Sequence, residues 1–230
     1  MTHTPFVIQL GILACTWLAG WGLAFWLIRS GKSYIDNYLL MSVVFLAFSA
    51  LLMAMFWPRF APLASDVTVL PFAVLLLAVV VTLGVYALCP RYLRRPDALI
   101  TRHPEEFYLH MDYRYLVSKS FEVLFQQLII VALTLLLAAT GLSMTGIVLA
   151  FLGLFGVLHL PVLRVVGKGL GMSYTIAAAT LAAVFPVLIL RFHSGFVYSY
   201  ALHWFGYTLA ALFAWVYHGA SGAFGGRAVS

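Results

Sequence analysis

The chain alternates between long apolar runs and short polar breaks. Seven runs stand out, over residues 5–28, 38–57, 70–88, 121–139, 144–163, 170–190 and 196–217. Each is long enough, at about 20 residues, to cross a hydrocarbon core of roughly 30 Å as a helix. None shows the two-residue alternation of a barrel strand, so helices are predicted. Arg29-Ser-Gly-Lys32 closes the first run, Pro58-Arg59 the second and Cys89-Pro90-Arg91 the third. Arg164 with Lys168 closes the fifth and Arg191 the sixth.

The stretch 88–120 is the one sizeable polar segment. Pro90, Pro96 and Pro104 interrupt it, and His103-Pro104-Glu105-Glu106 resembles a helix start, with proline and acids in the first turn. Phe107, Met111 and Tyr115 recur at i, i+4 and i+8. This spacing predicts a short amphipathic helix on the inner face that leads into the fourth span, either as an interfacial linker or as a binding surface. The glycine-rich tail, 218–230, is expected to be mobile.

Composition sharpens the class. With 64% hydrophobic and 9% charged residues, the chain cannot clothe a soluble domain of 230 residues in polar surface. The expected fold is an all-α, polytopic membrane helix bundle of about seven transmembrane helices, a single transmembrane domain over 1–230. The net charge of +6 is not read as nucleic-acid binding, because the cations collect between apolar runs. With the N-terminus outside, Arg29, Lys32, Arg91, Arg94, Arg95, Arg102, Arg114, Lys119, Arg164, Lys168 and Arg227 fall inside, and Arg59 and Arg191 outside. N-out, C-in orientation follows. The first helix is expected to stay in place, since Met1-Thr-His-Thr lacks a basic leader and no small-x-small cleavage site is clear. Cys15 and Cys89 form neither a metal spacing nor a disulfide framework. The expected location is the bacterial inner (cytoplasmic) membrane, with lipid as a partner and no nucleic acid.

Chemistry in such a chain must come from its few buried polar groups. Glu122 is the only acid inside any of the apolar runs. An ionisable group there costs up to roughly 3 kcal/mol on insertion scales, less near the interface, and is a functional hypothesis by default. Gln126 shares its face at i+4. The plainer alternative places Glu122 at the headgroup level, paired with Lys119 as an anchor. His159 and His203 are flanked by apolar residues, so Glu122, His159 and His203 are candidates for one shared site. His193 and His218 read as boundary residues. On simple counting, Glu122 and His159 lie near the inner face and His203 roughly 10 Å below the outer one, with His218 a better depth match. No His-Glu-x-x-His signature occurs, and neither a metal nor another cofactor is expected.

Three segments resemble the CAAX prenyl protease and bacteriocin-processing family of intramembrane glutamic proteases. Its signatures run Glu-Glu-x-x-x-Arg, Phe-x-x-x-His, then His-x-x-x-Asn. Here Phe121-Glu122-Val-Leu-Phe125-Gln126-Gln127 is similar to the first, Phe155-Gly-Val-Leu-His159 to the second, and His203-Trp-Phe-Gly-Tyr207 to part of the third. Phe121, Gln126 and Tyr207 depart from the pattern. The resemblance covers roughly the second half of the chain. It implies Glu122 as the base that activates water, His159 and His203 as donors to the water or oxyanion, and Gln126 and Tyr207 in support. The substrate would be a membrane-anchored peptide or protein. The departures equally fit a catalytically inactive relative, acting as a membrane scaffold, assembly factor or partner of another membrane protein. A proton-coupled carrier titrating Glu122 is a third reading, although no pair of interrupted helices in matching halves marks it.

Overall fold

The computed structural model describes residues 5–65, 68–102, 107–165 and 168–224, with side chains at 5–63, 68–102, 109–157 and 176–217. The described residues are helical nearly throughout. The elements are α1 (Phe6–Arg29), α2 (Tyr38–Ser65), α3 (Val69–Tyr92), the short α4 (Asp97–Arg102), a 3-10 turn (Phe107–His110), α5 (Tyr113–Ala138), α6 (Met144–Val165), α7 (Lys168–Arg191) and α8 (Gly195–Phe224). Every apolar run of the sequence therefore lies in a long helix. Among the described residues, α1, α2, α3 and α5 carry uninterrupted segments long and apolar enough to cross a membrane. The described parts of α6 and α7 hold shorter apolar segments, Met144–Val157 and Ile176–Arg191.

Three boundaries differ from the sequence reading. α2 continues through Pro58 and Pro62 to Ser65, and α3 through Pro90 to Tyr92. Each proline sits within about two turns of its helix end, where losing one N–H bond interrupts little of the ladder. The third difference matters most for the site. Among the described residues, 107–119 do not form the one amphipathic helix expected from Phe107, Met111 and Tyr115. A 3-10 turn ends at His110, Met111 takes a left-handed φ of 52°, and α5 starts at Tyr113. Asp112 caps it, accepting the Arg114 backbone N–H at 2.8 Å and pairing with the Arg114 guanidinium. Met111 and Tyr115 are buried rather than spread on a membrane surface. Residues 103–106, where the expected helix would begin, lie outside the described residues.

α5 is the central helix. It packs against α1, α2, α6, α7 and α8, and 72% of its most apolar window is buried, against 28%, 33% and 17% for α1, α2 and α3. The outer helices instead expose apolar side chains such as Val7, Leu70 and Leu76, as helices facing lipid do. Close packing onto α5 depends on Gly20 of α1, where a Cβ would stand 2.8 Å from the Phe125 ring. Ser118 of α5 donates to the Tyr34 carbonyl at 3.0 Å, tying the 30–37 connection to the same helix.

Candidate functional site

Early initiation of α5 changes where Glu122 sits. The helix begins at Tyr113, so the carboxylate projects from its third turn rather than its first, about 14 Å along the axis. Glu122 is 1% exposed. The Lys119 ammonium pairs with Oε1, one turn earlier on the same face, and the Gln126 amide donates to the same oxygen at 2.7 Å. The Tyr34 hydroxyl adds a hydrogen bond from the 30–37 connection. Burial, followed by the charge of Glu122, holds that phenol well above its ordinary range, so it is a neutral donor. Three donors thus converge on one carboxylate, which satisfies the rule that a buried charge must be paired and hydrogen-bonded.

A second polar cluster lies on the neighbouring stripe of α5. Gln127 is buried and donates to Ser199 Oγ of α8 at 2.5 Å. Its Oε1 stands 3.4 Å from His203 Nδ1. The His203 ring packs against Phe185 of α7 at 5.5 Å between centroids and stacks on Tyr207 at 5.8 Å. Tyr207 then reaches the first cluster, with the Lys119 Nζ 4.1 Å from its ring centre. The two clusters meet at this ring.

Antiparallel packing of α5 on α8 accounts for the meeting. Trp215 Nε1 donates to the Leu109 carbonyl at 2.7 Å, Tyr207 faces Lys119, and Ser199 faces Gln127. In this register Glu122 lies level with the turn between His203 and Tyr207. The counted depth mismatch between Glu122 and His203 therefore does not occur. It came from starting the fourth span at Phe121, eight residues late.

Glu122, Gln126, His203 and Tyr207 are gathered into one layer, with Glu122 and His203 buried and Gln126 and Tyr207 half-buried, and His203 stands beside Gln127. The side chain of His159 lies outside the described residues, and only its backbone, in α6, is placed. The same holds for His218 in α8. Among the described residues, no three metal-ligating side chains cluster. No family model, curated protein or solved structure matches the chain.

Several members of the layer escaped the sequence reading. Lys119 reads from sequence as an anchor for Glu122, yet it joins both clusters. Tyr34 and Ser199 carry no motif, and Gln127 enters the sequence pattern only as the end of the first motif segment. Gln127 had a visible signal, since two adjacent glutamines in an apolar run place amides on two neighbouring stripes of one helix. Tyr34 had none, because a tyrosine in a short polar connection is ordinary.

Chemically, the arrangement favours a fixed charge. A general base must hold a lone pair free for a water near the scissile carbonyl. Here an ammonium and an amide share Oε1 and a phenol adds a third donor to a carboxylate that is 1% exposed. The layer can store charge in the protein interior and cross-link helices.

Proposed function

We propose that the protein is a seven-span, N-out, C-in membrane protein that acts as a scaffold or assembly partner for other membrane proteins, with Glu122 in a structural role. One observation carries this reading: the Glu122 carboxylate is fully buried and already engaged by Lys119, Gln126 and Tyr34. A same-helix ammonium neutralises the charge that a base would use. The replacement of the family's asparagine by Tyr207 points the same way, since its ring seats Lys119 instead of presenting an amide to an oxyanion. The excess of Lys and Arg in the connections assigned to the inside supports the orientation and a bacterial inner-membrane location.

Intramembrane hydrolysis of a membrane-anchored peptide is the second reading. It is favoured by the register that brings His203 and Tyr207 to the level of Glu122. One experiment separates the two without a known substrate. Membrane proteomes are compared between cells lacking the protein and cells carrying the native form or Glu122→Gln, reading both protein abundance and new chain termini. Scaffolding predicts loss of partner proteins without changed termini. Termini that require the native form and vanish with Glu122→Gln would overturn it in favour of the hydrolase.

A further inference from the structure

A cavity of about 370 Å³ opens at the end of the bundle far from the Glu122 layer. Its wall at Leu135 lies thirteen residues beyond Glu122 on α5, roughly 20 Å along the axis. Leu63 of α2, Leu135, and Ile189 and Leu190 of α7 form the apolar side. Arg191 and His193 stand at the mouth, both exposed. Among the described residues, neither has an ion-pair or hydrogen-bond partner. A cavity of this size is in the range that holds small ligands, and a few polar groups over an apolar wall is the usual composition of such sites.

The mouth is rigidly built. Only Phe192, His193 and Ser194 separate α7 from α8. Ser194 adopts a left-handed φ of 54°. A Cβ on Gly195 would lie 1.8 Å from the Leu188 carbonyl oxygen, so the two helix ends are in backbone contact. Arg191, the last residue of α7, and His193, in the middle of the turn, are therefore carried on a fixed backbone at the helix ends, where a membrane's headgroup region would lie.

We propose that this cavity binds the anionic head of a lipid amphiphile, with the phosphate or carboxylate on Arg191 and His193 and the first part of the tail along Leu63, Leu135 and Leu190. A guanidinium fork suits either anion, and the apolar wall excludes a ligand that is only charged. The site is independent of the role assigned to Glu122.

The test uses the full chain purified in a neutral detergent, with bound lipid counted by native mass spectrometry. Four probes are titrated: phosphatidylglycerol, oleate, diacylglycerol and free glycerol phosphate. Phosphatidylglycerol or oleate should bind, and whichever binds more tightly identifies phosphate or carboxylate as the head. Diacylglycerol, which has tails but no anion, and glycerol phosphate, which has the anion but no tail, should bind at least about tenfold more weakly. Arg191→Gln should weaken retention by about tenfold or more, the loss expected for one charge-assisted contact, and His193→Gln by less. Both side chains are exposed, so neither change threatens folding. Leu135→Trp, which fills the wall, should displace the amphiphile while Arg191 stays in place. Retention unchanged in Arg191→Gln, or equal binding of glycerol phosphate, would overturn the proposal.

Discussion

The Lys119 ammonium stands over the face of Tyr207, 4.1 Å from the ring centre. This contact joins α5 to α8 and lets one cation serve two partners, the Glu122 carboxylate beside it and the ring across the interface. The ring's other neighbour is His203, one turn back on α8. Tyr207 is thus the hinge between the charged cluster and the Gln127–His203 cluster. Removing the ring should cost more than removing its hydroxyl. Tyr207→Leu is expected to lose about 2 kcal/mol or more of stability, the scale of a desolvated cation–π contact. Tyr207→Phe, which keeps the face, should lose about 1 kcal/mol or less. Chemical unfolding in detergent, followed by tryptophan fluorescence, measures both. Equal losses would show that the hydroxyl, not the ring, holds Lys119.

Gly20 tests the packing of α1 on the central helix. A side chain there meets Phe125, which is wholly buried and flanked by Phe45 and Phe48, so the ring has little room to retreat. Gly20→Val should destabilise by about 1–3 kcal/mol, the usual cost of overpacking. Gly22→Ala, two residues on and with nothing near its would-be Cβ, should be neutral or slightly stabilising, since Gly costs about 0.5–1 kcal/mol relative to Ala within a helix. Thermal melting of the two variants side by side reads the contrast.

How far the sequence revealed these relationships depends on the residue. Among the described residues each apolar run falls in a long helix, and α1, α2, α3 and α5 are long and apolar enough to cross a membrane, because roughly 20 apolar residues between polar breaks have few other ways to fold there. Glu122 stood out for the same reason, as a charge in an apolar run. The start of α5 was not legible. Tyr113-Arg-Tyr-Leu-Val-Ser-Lys-Ser120 is too polar to read as part of a span, yet Asp112 caps a helix there and Ser118, Lys119 and Tyr115 are buried by tertiary contacts. That misplacement moved Glu122 to a helix end and put His203 at the wrong depth. It also hid Lys119, whose position one turn before Glu122 becomes meaningful only if both are inside the bundle.

The segment before α5 carries a pH response. Burial, and then the nearby Arg95, hold the His110 imidazole below its ordinary value, against the opposing pull of Asp112. In the unfolded chain this histidine titrates near about 6.5. As pH falls through that value the unfolded state takes up the proton first, so stability should decline until the folded-state value is passed. His110→Gln removes this contribution, and its melting temperature should fall less steeply than the native protein's between about pH 7 and 5. Parallel pH profiles for the two proteins would contradict the assignment.

Asp112 should act in a lower window. Its hydrogen bonds from Arg114 are the main reason its carboxyl lies below the usual range, outweighing partial burial. The stability it contributes is complete above the ordinary carboxylate value and is lost as pH falls through the depressed one. Asp112→Ala should remove the cap as well, costing about 1 kcal/mol at neutral pH. Asp112→Asn, which retains a capping oxygen, should lose less. Hydrogen exchange at the first turn of α5 distinguishes the two.

The most direct test of a structural Glu122 is a double-mutant cycle with Lys119, measured as unfolding free energy in detergent. Removing one partner leaves a buried charge uncompensated, so Lys119→Met and Glu122→Gln should each cost about 3–5 kcal/mol. The double variant Lys119→Met/Glu122→Gln leaves no charge behind and should be no less stable than either single variant, a coupling of about 3 kcal/mol or more. Losses that simply add in the double variant would mean that the two residues act separately, and would contradict the account.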